Sequence, residues 1–98
     1  MKINENQYYV VRTTNAGVFF GKIKEKSAAE VTMTDVRKIW HWEGACAVEQ
    51  LAIYGTTRPS ECKFTVIVPE MVIAEPIQII PCTEKAVESL SRVAVWKR

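Results

Sequence analysis

Residues 8–24 read YYVVRTTNAGVFFGKIK, and this stretch decides the fold. Tyr8 to Thr14 is crowded with β-branched and aromatic side chains, Asn15-Ala16-Gly17 supplies turn residues, and Val18 to Lys24 returns to β-formers. Two such runs on either side of so short a turn predict a β-hairpin. In the second run Val18, Phe20 and Ile23 cannot share one face under strict alternation. Gly21 stands between them, where a bulge or a close backbone approach fits.

Working outward, Lys24 to Ser27 reads as a polar turn, and Glu30 to Thr34 (EVTMT) as a third strand with Val31 and Met33 facing inward. Thr34-Asp35 should end that strand or cap a helical turn, and a further strand is expected from Lys38 to Trp42. Gly44 breaks the pattern. Ala45 to Tyr54 then spaces Ala45, Val48, Leu51 and Ala52 as one apolar helical stripe, with Gly55 as C-cap. Residues 56–61 are turn-rich. Lys63 to Val68 and Met71 to Ile73 give two short strands split by Pro69, which points to an edge or a bend. Pro76 to Pro81 (PIQIIP) is another strand, Thr83 caps a helix through Glu84, Ala86, Val87 and Leu90, and Val93 to Trp96 is expected as a last strand. The order predicts an α+β fold, a small antiparallel sheet of about five to six short strands with two short helices, and not a βαβ series. A single domain over residues 1–98 is expected, without an internal repeat.

Hydrophobic residues make up 48% of the chain and charged residues 24%, which is average globular usage and argues against disorder. A net charge of +2 is well short of the basic balance of a domain that lives on phosphates, so duplex nucleic acid is not an expected partner. The first ten residues, MKINENQYYV, lack the apolar core of a secretory signal, and no stretch approaches the roughly eighteen apolar residues of a membrane span. A cytoplasmic protein without membrane contact is therefore expected. Cys46, Cys62 and Cys82 are far apart and form no C-x-x-C or Cys/His pairing, so neither a disulfide framework nor a metal site is predicted.

Catalysis finds little support. The one histidine, His41, lies between Trp40 and Trp42 with no nucleophile motif, and Glu43, Glu49, Glu61, Glu70 and Glu75 show no paired spacing. Gly17 with Gly21 makes neither a phosphate-binding loop nor a dinucleotide fingerprint. The more suggestive group is Arg12-Thr13-Thr14 with Arg37, Lys38, Trp40 and Trp42, because guanidinium forks pair with phosphate while aromatic faces stack on bases. The competing reading makes both tryptophans core anchors and lays the arginine stems along apolar edges. The helix start near Ala45 and Cys46 is open to an anion or is capped by Glu43. Three tryptophans, three tyrosines and three phenylalanines in so short a chain also leave material for a homo-oligomer.

Arg12-Thr13, Ala16-Gly17-Val18, Asp35 to Ala45 (DVRKIWHWEGA), Gln50-Leu51-Ala52 with Gly55, Cys62-Lys63-Phe64 and Ile79 to Thr83 (IIPCT) form a pattern that resembles a family of small phage and prophage proteins. The W-x-W-x-G-A block is its most specific piece. Small phage proteins of this kind include sponges that sequester the nucleotide signals of bacterial immune systems. The resemblance therefore implies a non-enzymatic sponge for a cyclic dinucleotide or similar nucleotide, without cofactor or metal, working as a homo-oligomer in the host cytoplasm. In that role Arg12, Arg37 and Lys63 would hold phosphates and Trp42 or Tyr54 would stack on a base, with Thr13 and Trp40 beside them. A phage structural or replication-associated protein-interaction module is the alternative, and an enzyme acting on nucleotides the third reading.

Overall fold

The hairpin is the centre of the sheet. In the computed structural model, which describes residues 2–97, β1 (Tyr8–Thr13) pairs antiparallel with β2 (Val18–Lys26). Thr13 locks the turn from both sides: its hydroxyl accepts from the Gly17 N–H at 2.8 Å and donates to the Gly17 carbonyl at 2.9 Å. β2 runs on through Lys24, Glu25 and Lys26, where the sequence suggested a turn. These polar residues lie on exposed strand, with Glu25 and Lys26 paired to the next strand, and Ser27 closes the reversal instead.

β3 (Glu30–His41) is one strand of 12 residues. The sequence divided it at Thr34-Asp35, yet the chain bends there without leaving the ladder. Asp35 takes a left-handed conformation (φ 47°) and the register against β2 slips between Phe20 and Lys22. An extra residue accommodated in this way is a β-bulge, which sharpens the local bend and twist. Gly21 sits opposite that slip, and a Cβ there would lie 2.8 Å from the Val36 Cα, so the missing side chain is what lets the strands close.

The remaining strands are β4 (Lys63–Phe64), β5 (Val68–Ala74) and β6 (Pro76–Pro81). The six strands are ordered β4-β3-β2-β1-β6, and β5 also pairs with β3, so Pro69 lies in an edge strand that it does not interrupt. Val93 to Trp96 does not form the expected strand. Among the described residues it makes a single bridge, Val95 with Phe64, formed through the Trp96 N–H, which donates to the Phe64 carbonyl at 2.9 Å.

Helix α1 (Val48–Tyr54) begins after Ala45, because Gln50 folds back and takes the Cys46 N–H at 2.5 Å, holding that turn non-helical. It ends at Gly55 (φ 75°), where a side chain would collide with Ser89 of α2 (Glu84–Ser91). Thr83 joins the two helices: its hydroxyl accepts from the Ala86 N–H at 3.1 Å, capping α2, and donates to the Ile53 carbonyl at 2.6 Å.

Both faces of the sheet are buried, by different means. On one, Val10, Phe20, Ile39 and Phe64 pack under Leu51, Ala52, Ala86 and Leu90 of the helices. On the other, the buried residues Tyr9, Val11, Phe19, Ile23, Val31, Met33, Val36 and Ile73 all come from strands, with Ile3 of the N-terminal segment packed against them. Among the described residues the architecture is α+β, a six-stranded antiparallel sheet with two short helices.

Candidate functional site

Between β3 and β4 the register gives Ile39 opposite Phe64 and His41 opposite Lys63, so two steps on β3 match one on β4. Trp40 is the extra residue. A bulged residue leaves the ladder and its side chain is re-aimed; Trp40 accordingly stands 54% exposed. Its partner comes from the far end of the chain. The backbone of Phe64 holds Val95 and Trp96, and the Trp96 ring stacks on Trp40 with centroids 4.8 Å apart at 17°. Lys63 completes the group: its ammonium lies 5.4 Å from the Trp40 centroid and 5.3 Å from that of Trp96, so it belongs to the pair and not to one ring. Beside it, across the ladder from Lys63, His41 meets the Glu43 carboxylate at 3.0 Å.

Two indoles left partly in water, with a shared cation, are the feature of this surface that packing does not demand. Flat π faces beside an ammonium suit a planar aromatic group carrying negative charge.

Trp40 and Lys63 are thus brought together, and the other residues singled out in the sequence are placed elsewhere. Arg37, expected at a phosphate, is only 3% exposed. Its Nη1 donates to the Val93 carbonyl at 2.7 Å, its Nε to the Thr65 carbonyl at 2.9 Å, and its guanidinium packs 5.1 Å from the Phe64 ring centre. Burial draws its pKa below the ordinary arginine value. In this arrangement it faces the interior and not a ligand. Thr13 is buried too, with its hydroxyl engaged in the hairpin turn. Trp42 is half-buried against the helix-side core, and its indole N–H donates to the Ala45 carbonyl at 3.2 Å, which is the core-anchor reading. Trp40 is exposed and is not a core anchor.

Arg12 is exposed on β1, opposite Gln78 of β6. Gln78 donates to the Glu49 carboxylate at 3.0 Å, and this hydrogen bond, with the charge of Arg12 acting in the same direction, holds the Glu49 carboxyl below its ordinary value. Tyr54, 59% exposed at the end of α1, has the Lys85 ammonium 5.5 Å from its ring centre. It lines a shallow cavity of about 560 Å³ with Gln50, Thr57, Lys85 and Ser89. This second aromatic and cationic pair is built on the helices, apart from Trp40. Of the two readings of the start of α1, Glu43 does not cap the helix but pairs with His41, and an anion would meet no free N–H at Cys46, which Gln50 holds.

Trp96 is the site residue that sequence reading missed. The sequence puts it at the end of a regular strand, and the available signal is an aromatic next to Lys97 in a segment too short to pair along its length. Among the described residues no group of three or more His, Cys, Asp and Glu side chains is placed to hold a metal ion, and no helix is long and apolar enough to cross a membrane.

Comparison with known proteins gives one result. No curated protein and no solved structure matches the chain. Residues 6–90 match the family described as a domain of unknown function, DUF6948, which takes in the hairpin, the bulge that carries Trp40, Lys63, α1 and all but the last residue of α2, so the chain belongs to the DUF6948 family.

Proposed function

We propose that this protein is a non-catalytic binding module that holds a nucleotide, with a base stacked on the Trp40–Trp96 pair and a phosphate neutralised by Lys63. The observation that carries this reading is the partly exposed indole pair with its shared ammonium. Stacking on an aromatic side chain contributes about 1–3 kcal/mol per base. In the biological role that goes with it, the protein is a phage-encoded sponge: it sequesters a cyclic or linear nucleotide signal of bacterial immunity in the host cytoplasm. A sponge requires affinity and not turnover, and a homo-oligomer that presents several such platforms raises its capacity.

The test is to incubate the purified protein with a pool of linear and cyclic di- and trinucleotides and ADP-ribose derivatives, wash it, denature it and identify what is released by mass spectrometry. One intact nucleotide is expected, and its titration should quench tryptophan fluorescence. Trp40→Ala should weaken that binding about 5- to 150-fold, the equivalent of one lost stacking contact. Release of a chemically altered nucleotide would instead make the protein an enzyme, and release of nothing would overturn the nucleotide reading.

One specific observation favours a second reading. Val66, Ile67 and Val72 are exposed aliphatic residues on and before the edge strand β5, and such a surface suits a protein partner. Capture of one stoichiometric protein, with no nucleotide retained, would favour that interaction module.

A further inference from the structure

Arg37 needs an explanation of its own. It is buried beside Phe64, makes no ion pair with a carboxylate among the described residues, and its Nη2 has no hydrogen-bond partner there. A buried charge of this kind is a poor source of stability, because an apolar side chain of similar volume commonly serves as well or better. What the guanidinium does achieve is geometric. From β3 it reaches the Thr65 carbonyl just past β4 and the Val93 carbonyl just before the Val95–Trp96 segment. Those three pieces of chain are the ones that deliver Trp40, Lys63 and Trp96. Among the described residues, apart from Arg37, the terminal segment is tied to the Phe64 backbone by one bridge, through the hydrogen bond from the Trp96 N–H.

We infer that Arg37 is the positioning residue of the aromatic site: by bridging the Thr65 and Val93 carbonyls it sets the C-terminal segment against β4 and so brings Trp96 onto Trp40. Its importance for ligand rests on the nucleotide reading above, but the positioning itself does not. Two indoles stacked this closely couple their excited states, and a skew between their transition dipoles shows the coupling as paired positive and negative bands in far-ultraviolet circular dichroism, measurable with no ligand present. Trp96→Phe identifies that signal by abolishing it.

The deciding variant is Arg37→Met, which keeps an unbranched apolar side chain about as long as the arginine stem and removes the donors. Loss of the coupled signal is expected, while the remaining spectrum and a cooperative thermal transition persist. A signal of wild-type strength in folded Arg37→Met overturns the inference. Should Arg37→Met fail to fold, Arg37→Lys serves: its single ammonium cannot hold both carbonyls in the same fork, so the signal should weaken, and an undiminished signal overturns the inference. Loss of the coupled signal with nucleotide affinity unchanged would leave the positioning role standing and sink the nucleotide site instead.

Discussion

Cys82 shows how a single residue records its surroundings. The side chain is buried on the helix-side core at the junction between β6 and α2, and loss of solvent pushes its thiol pKa from 9.0 up to about 12. In the unfolded chain the thiol sheds its proton through pH 9, whereas the folded protein keeps it bound until about pH 12. Above pH 9 the unfolded state therefore binds fewer protons, and stability falls with rising pH by about 1.4 kcal/mol per unit from this group. Below pH 9 the group contributes no pH dependence. Urea unfolding at pH 8, 9, 10 and 11 should show a steeper alkaline loss for the native chain than for Cys82→Ala. Parallel slopes in the two proteins would mean that the thiol is hydrated in the fold. At the same scale, Trp40 and Trp42 differ by two positions yet have opposite fates, one re-aimed outward by a bulge and the other held by an indole hydrogen bond against the core.

At the scale of the element, β3 and its neighbours depend on local irregularity more than on regular pairing. The bend at Asp35 requires that β2 come close at Gly21, and the contact is with Val36 backbone, which cannot rotate away. Gly21→Ala should destabilise the protein by about 1–3 kcal/mol, the usual cost of overpacking, read as a lower urea midpoint with unchanged slope. A neutral result would show that the two strands separate more easily than the bulge geometry implies. This element was only half legible. Val31 and Met33 are buried as their alternation predicts, but a polar Thr34-Asp35 pair reads as a strand end when no partner strand is in view. Gly55 and Thr83 were legible because a helix end is satisfied within a few residues of itself.

For the molecule as a whole, Phe64 is the point where the parts meet. It is fully buried in the helix-side core, packs against the Arg37 guanidinium, and its backbone receives both Val95 and Trp96. Phe64→Ala should cost about 3–5 kcal/mol in chemical unfolding, the range for a buried phenylalanine. It should also diminish the Trp40–Trp96 coupled signal in whatever fraction remains folded. A large stability loss with an intact signal would separate the core from the aromatic site, and would show that the C-terminal segment is held by Arg37 and its backbone bonds alone.

What is local can be read from the residues: two β-runs around a turn, strand character on both sides of Asp35, helices ended by Gly55 and begun by Thr83, and the α+β class that follows. Hydrogen bonds and apolar periodicity of that kind are satisfied among near neighbours, so they can be read along one dimension. Tertiary structure alone decided the candidate site. Trp40 points outward because β3 and β4 pair with an extra residue between them, Arg37 is internal because Thr65 and Val93 bring acceptors to it, and Trp96 reaches Trp40 from far along the chain. Each of those placements is set by a partner tens of residues away, and register with a distant strand leaves no mark in the residues that it moves.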